Sequence, residues 1–272
     1  MADTYLWLEE NALADQAIQT AISADPDYAY VYYVRGVFRM FSEFRFKEGI
    51  EDFRHALRLD PDDAFSIAGI GKGAFITGDF DLAVQQFQAA LRVDPVVPEF
   101  YSFLGMAQRG AGRFDDAEAS FRKMLSLSPQ YRRGRLLLWG VLLMQGDLDA
   151  ALAESQQIIF SGQRSFAEAI TLFALGNEKQ SDSVLVDLVE KAASAGAYGR
   201  LSPVYGYRGE SDMAFESLNQ VVESNKDQLI FILSEPAYRS LHSDPRWPLL
   251  LERINLLEFW LDMSPESGGP PE

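Results

Sequence analysis

The stretch DAFSIAGIGKGAFITGDFDLAVQQFQAALRVDP, residues 63–95, is followed by VPEFYSFLGMAQRGAGRFDDAEASFRKMLSLSP, residues 97–129, and the two align at a step of 34. Gly71 falls on Gly105, Gly78 on Gly112, Ala83 on Ala117, Phe87 on Phe121 and Pro95 on Pro129. Upstream, Phe53 and Pro61 continue the step; downstream, Gly146 and Ala151 do. Within one period the apolar spacing predicts a helix over about Asp63 to Ile76, a turn at Gly78-Asp79, and a second helix over about Asp81 to Val93. Gly78 can take the left-handed conformation that ends the first helix, and Asp79 can accept from the free N–H groups that open the second. Gly71 removes a side chain where the two helices approach, Phe80 and Phe87 fill the wedge between hairpins, Ala83 and Ala90 keep it narrow, and Pro95 stops the second helix.

A recurrence of glycine, alanine, aromatic and Asp-Pro at this period resembles the tetratricopeptide repeat (TPR) family. The resemblance implies an all-α, right-handed superhelical solenoid of antiparallel helix pairs, with about six hairpins and a capping helix at each end. Residues 1–28 read as a partial repeat or one capping helix, a start midway through a repeat being what a fragment of a longer chain would show. Residues 29–163 read as four TPR hairpins. The first matches through Gly36, Phe46, Gly49, Phe53, Ala56 and Pro61; its turn, Ser42 to Arg45, carries one extra residue, since Pro26 to Pro61 is 35. The fourth keeps Gly146, Asp147, Leu148 and Ala151 but loses the aromatic and the closing proline. Residues 164–225 read as two degenerate hairpins, the second with helices at about Ala197 to Tyr207 and Ser211 to Glu223. Residues 226–263 read as a capping segment and 264–272, with Gly-Gly-Pro-Pro, as a disordered tail.

Around Ser243-Asp244-Pro245-Arg246-Trp247 the chain also resembles the closing segment of TPR regions in bacterial multidomain signalling proteins. In structural terms Ser243 or Asp244 would cap a last helix, Pro245 would sit in its first turn, and Trp247, Leu250 and Ile254 would seal the open end of the stack.

The bulk numbers narrow the function. A net charge of −16 argues against nucleic acid as the main partner. The charge is uneven: Ala107 to Arg164 holds eight Lys/Arg against six Asp/Glu. Without cysteine there are no disulfides or thiolate metal sites. The N-terminus does not read as a signal peptide, and the longest apolar run, Leu136 to Met144, falls short of the roughly 20 residues a spanning helix needs. No membrane partner and a cytoplasmic location are the expectations.

No catalytic constellation is visible, so no enzymatic activity and no cofactor are expected. Gly69-Ile70-Gly71-Lys72-Gly73 lacks the spacing and the Ser/Thr of a phosphate loop. His55 and His242 lie far apart, and the paired acids Asp62-Asp63 and Asp115-Asp116 belong to helix starts, where they favour the dipole. What remains is the groove that TPR stacks line with first-helix residues. The family pattern carries the partner-binding role onto Tyr30, Tyr33, Phe65, Lys72, Met106, Arg109 and Arg133, aromatic at one end and basic in the middle. Two uses follow. In one, a protein or peptide, with an acidic segment selected by Arg109 and Arg133, binds in the concave groove of a noncatalytic scaffold. In the other, the chain is a regulatory or self-association module, forming homo-oligomers or contacting the output domain of a larger bacterial signalling protein.

Overall fold

A computed structural model of the chain describes residues 2–195, 199, 201–225, 229–263 and 269, and among these there is no strand. After α1 (Ala2–Ala24) the helices pair in sequence order: α2 (Ala29–Phe41) with α3 (Phe46–Leu59), α4 (Ala64–Ile76) with α5 (Phe80–Val93), and α6 (Pro98–Gly110) with α7 (Phe114–Leu127). The order continues with α8 (Gly134–Gln145) and α9 (Leu148–Gln156), α10 (Ser161–Ala174) and α11 (Glu178–Ala195), then α12 (Leu201–Arg208) and α13 (Ser211–Asn225). Two 3-10 turns, Ile232–Ser234 and Pro236–Leu241, lead to α14 (Arg246–Arg253) and α15 (Leu257–Asp262). The fold is the expected right-handed solenoid of antiparallel helix pairs. The expected tail, 264–272, lies outside the described residues apart from Gly269, as do residues 196–198 and 200 beside the predicted start of α12.

The repeat residues do local work. Gly36, Gly71 and Gly105 each face the ring of the aromatic one helix on: a Cβ would lie 2.7 Å from Phe53, 3.2 Å from Phe87 and 2.5 Å from Phe121, respectively. Those three rings, with Ala56, Ala83, Ala90 and Ala117, are almost wholly out of water and form the spine of one continuous core. Gly78, Gly112 and Gly146 have φ of +83°, +74° and +80°, and Gly176 and Gly209 continue the series at the fifth and sixth turns. Asp79 and Asp147 accept from the backbone N–H of Leu82 and Ala150, each at 3.1 Å, opening α5 and α9.

The first turn departs from this scheme. With one residue more than the turns of the second and third hairpins, it places Phe44 at φ 57°, a region that costs a side chain energy. Phe44 is 3% exposed and meets Phe46 edge-on at 5.9 Å, so burial offsets the strain.

The C-terminal segment differs from a simple end cap. Trp247, Leu250 and Ile254 are buried as expected, but α14 begins at Arg246, and Pro245 stands one residue before the helix rather than in its first turn. The Asp244 carboxylate accepts from the Arg246 backbone N–H at 2.9 Å and holds its guanidinium at 2.7 Å. Arg246 in turn reaches Asp212 on α13 at 2.9 Å and lies over the Phe215 ring. From there the segment turns back on the stack. Phe259 meets Phe46 edge to face at 5.9 Å, Lys47 pairs with Glu258 at 3.0 Å, and Met263 packs on the open face of Gly78. The two ends of the solenoid touch.

Candidate partner-binding face

The first helices of successive hairpins, α2, α4, α6, α8, α10 and α12, touch one another more closely than the second helices do, so they line the inner, concave side. Pairing α2, α4 and α6 with their own second helices through glycine contacts leaves their remaining faces free to line a groove.

On α2, α4 and α6 that face is an aromatic ladder. Tyr28 and Tyr30 lie 6.1 Å apart, Tyr30 stacks on Tyr33 at 5.8 Å, Tyr33 meets the Phe65 edge at 6.3 Å, and Phe65 meets Phe100 at 5.4 Å. Phe100 and the ring behind Tyr33, Phe53, are core; Tyr30 and Phe65 are 57% and 45% exposed. Burial, with Glu99 and Asp63 nearby, raises the Tyr33 pKa, so its hydroxyl stays protonated and can donate. Lys72 closes this section: its ammonium pairs with Glu99 at 2.7 Å and sits 5.0 Å above the Phe103 ring.

The middle of the face is roofed by the chain itself. Phe231 enters between Phe75 and Phe103, with ring centroids at 5.5 Å and 5.9 Å. The turn that follows is pinned to α12: Tyr238 and Ser202 hydroxyls share a hydrogen bond at 2.8 Å, Ser240 donates to the Gly206 carbonyl at 2.7 Å, and Gly206 leaves space for the Ala237 carbonyl. Beneath this roof is a cavity of about 380 Å³ lined by Met106, Arg109 and Arg133 together with Leu136, Trp139 and Phe166. Arg109 is 7% exposed, and its Nη2 lies 3.6 Å from Glu235 of the roof. Arg133 is in contact with solvent yet surrounded by protein; burial lowers its pKa, Glu235 opposes this, and Arg109 adds to it. Arg135, on the same turn of sequence, is tied to Glu154 of its own hairpin at 2.8 Å.

The seven residues named from sequence therefore fall into two places. Tyr30, Tyr33 and Phe65 form the open ladder, with Lys72 at its edge, whereas Met106, Arg109 and Arg133 line the roofed cavity. Sequence reasoning missed Phe231 and Glu235, which belong to no repeat; the only signal was the short apolar run 229–233 ahead of Ser234-Glu235-Pro236. Among the described residues no cluster of His, Asp and Glu suited to a metal ion occurs, and no helix is long and apolar enough to cross a membrane. His55 is engaged with the Tyr32 ring at 3.9 Å.

A helical-hairpin solenoid with an aromatic concave face defines a repeat protein. Two family models described as tetratricopeptide repeat match residues 70–132 and 108–176, under half of the chain between them. No curated protein sequence matches it significantly. Among solved structures, a tetratricopeptide repeat protein from Parabacteroides merdae superposes with a TM-score of 0.63 at 14% identity, covering 86% of this chain and 96% of that one. The Cut9-Hcn1 hetero-tetramer structure of the APC/C gives 0.60 at 14% identity, covering 83% and 46%. MamA gives 0.52 at 17% identity, covering 64% and 96%. At these identities the likeness is one of fold.

Proposed function

We propose that the chain is a noncatalytic protein-interaction scaffold that holds a peptide or protein segment on its concave face, with the open aromatic ladder as the main contact. The supporting observation is that the same face already takes up a short irregular segment of its own chain, seating Phe231 between Phe75 and Phe103. A partner presenting an apolar or aromatic side chain would gain burial against Tyr30, Tyr33 and Phe65, and aromatic pairs add about 0.5–1.5 kcal/mol each beyond area. Lys72 and the exposed Arg133 would favour an acidic residue further along the partner.

A displayed peptide library panned against the immobilised protein tests this. Enriched sequences should carry an aromatic or large apolar anchor, and Tyr30→Ala/Phe65→Ala should weaken them by about tenfold or more, as anchor residues do. Both side chains are largely exposed, so the fold should survive. Binding untouched by the double change would remove the ladder from the account.

A second reading, a regulatory or self-association module of a larger bacterial signalling protein, draws on the roof itself, since a segment held in cis can yield to a competitor. Light scattering over a concentration series separates the two: a strict monomer counts against self-association.

A further inference from the structure

Arg109 is one of four side chains among the described residues with a buried polar atom left without a hydrogen-bond partner. Its guanidinium is inside the roofed cavity and 7% exposed, its Nε has no hydrogen-bond partner, and its nearest carboxylate, Glu235, stands at 3.6 Å, beyond hydrogen-bond reach. A guanidinium offers five N–H donors, and burying them unmade is costly. The fold nevertheless goes out of its way to seat it. Gly36, Gly71 and Gly105 each face an aromatic of the next helix, but at the fourth repeat Ser155 stands where that ring would be. The register position of Gly105 is there taken by Trp139, and the next residue, Gly140, leaves room for Arg109, whose Nη1 lies 3.0 Å from where a Cβ would be.

The surroundings carry the argument further. Among the described residues, Arg132 and Arg133 join Arg109 in the lining against one carboxylate, Glu235, an excess of positive charge. Desolvation is the main cause lowering the Arg133 pKa; Glu235 opposes it, and Arg109 and Arg132 add smaller contributions. One side of the wall is apolar, with Leu136, Trp139 and Phe166, the Trp139 Nε1–H being already spent on Thr171 at 2.8 Å, while Gln163, Tyr207 and Ser234 add polar groups. A volume of about 380 Å³ suits a small molecule, and an apolar wall with a few convergent charges is the usual make-up of such sites.

We propose that this cavity is a binding site for a small organic anion, its acidic head seated on Arg109 and Arg133 and its apolar body against Leu136, Trp139 and Phe166. Glu235 is the internal competitor for the same arginines. The site uses no residue of the open ladder and shares only Arg133 with the peptide-binding reading, so Tyr30→Ala/Phe65→Ala tests that reading and leaves this site intact.

Calorimetric titration of the full chain with 4-phenylbutyrate and octanoate tests it, with 4-phenylbutan-1-ol as the neutral counterpart and the capped peptide Ac-FILSEP-NH2 as the acidic-segment control. The acids should bind with one-to-one stoichiometry, and the alcohol about tenfold or more weaker, as expected when a charged hydrogen bond is lost. Arg109→Met and Arg133→Gln should each cost a similar factor, and Glu235→Gln should tighten binding. Circular dichroism checks the fold; if Arg109→Met does not fold, Arg133→Gln and the alcohol decide. No binding of either acid at millimolar concentration, equal binding of acid and alcohol, or affinities unmoved by the arginine changes would overturn the proposal. Binding of the peptide alone would overturn it in favour of an acidic segment.

Discussion

Phe46, which opens the second helix of the first hairpin, meets Phe259 of the last helix edge to face with ring centroids 5.9 Å apart. More than two hundred residues separate them in sequence, and the contact is reinforced by Lys47 with Glu258 and by Met263 on Gly78. Stability of a repeat array is ordinarily a sum of neighbour terms. Here a long-range closure couples the first two hairpins to the last, and the segment that makes it also roofs the concave face.

The roof should be worth measurable stability. Phe231→Ala deletes a ring packed against Phe75 and Phe103, and, allowing for its partial exposure, should cost about 2 kcal/mol. Denaturant midpoints at constant m-value are the readout; an unchanged midpoint would mean the ring is not held there.

Two glycines of one hairpin should fail for different reasons. Gly105→Ala forces a methyl against the fully buried Phe121 ring, an overpacking of about 1–3 kcal/mol, partly offset by better helix propensity. Gly112→Ala meets no atom within 4 Å but must hold φ at +74°, which costs roughly 1–2 kcal/mol. Adding Phe121→Leu should lessen the first defect in a double-mutant cycle and leave the second unchanged. Equal coupling at both positions would contradict this division.

His242 should make the C-terminal cap acid-sensitive. Its ring lies 4.6 Å from Trp247, its buried Nε2 has no partner, and burial, aided by Arg239, pushes its pKa down to about 4. A histidine whose folded pKa is depressed contributes stability that is complete above its unfolded value near 6.5 and is lost as pH falls through the folded value. Between those two limits about 2 kcal/mol should disappear, after discounting for partial exposure. Urea unfolding at neutral pH and near pH 4.5, followed by tryptophan fluorescence, should show a smaller pH difference in His242→Gln than in the unaltered chain. The same difference in both would clear His242 of the effect.

How much of this was legible in the sequence follows from the range of the forces involved. Gly71 facing Phe87, the left-handed Gly78 and the Asp79 cap are contacts between residues a few positions or one helix apart, and a 34-residue step records them directly. The spacing of 35 between Pro26 and Pro61 betrayed an extra turn residue, though not that Phe44 would take the positive φ. Phe231, Glu235 and Phe259 left no such trace, because their partners lie in distant hairpins and no period relates them. Arg109 was visible as part of a basic middle; its burial depends on Gly140 and the roof together, and periodicity cannot register that combination.

Closure of the stack by its own C-terminal segment is most directly tested by zero-length carbodiimide cross-linking with peptide mass spectrometry. Lys47 Nζ and Glu258 Oε1 are 3.0 Å apart and both side chains are well exposed to reagent. Lys72 and Glu99, 2.7 Å apart on adjacent first helices, provide the internal control. A Lys47–Glu258 amide within monomeric protein, alongside the Lys72–Glu99 product, is the expected result; the control product without any Lys47–Glu258 bond would contradict a solenoid whose ends meet.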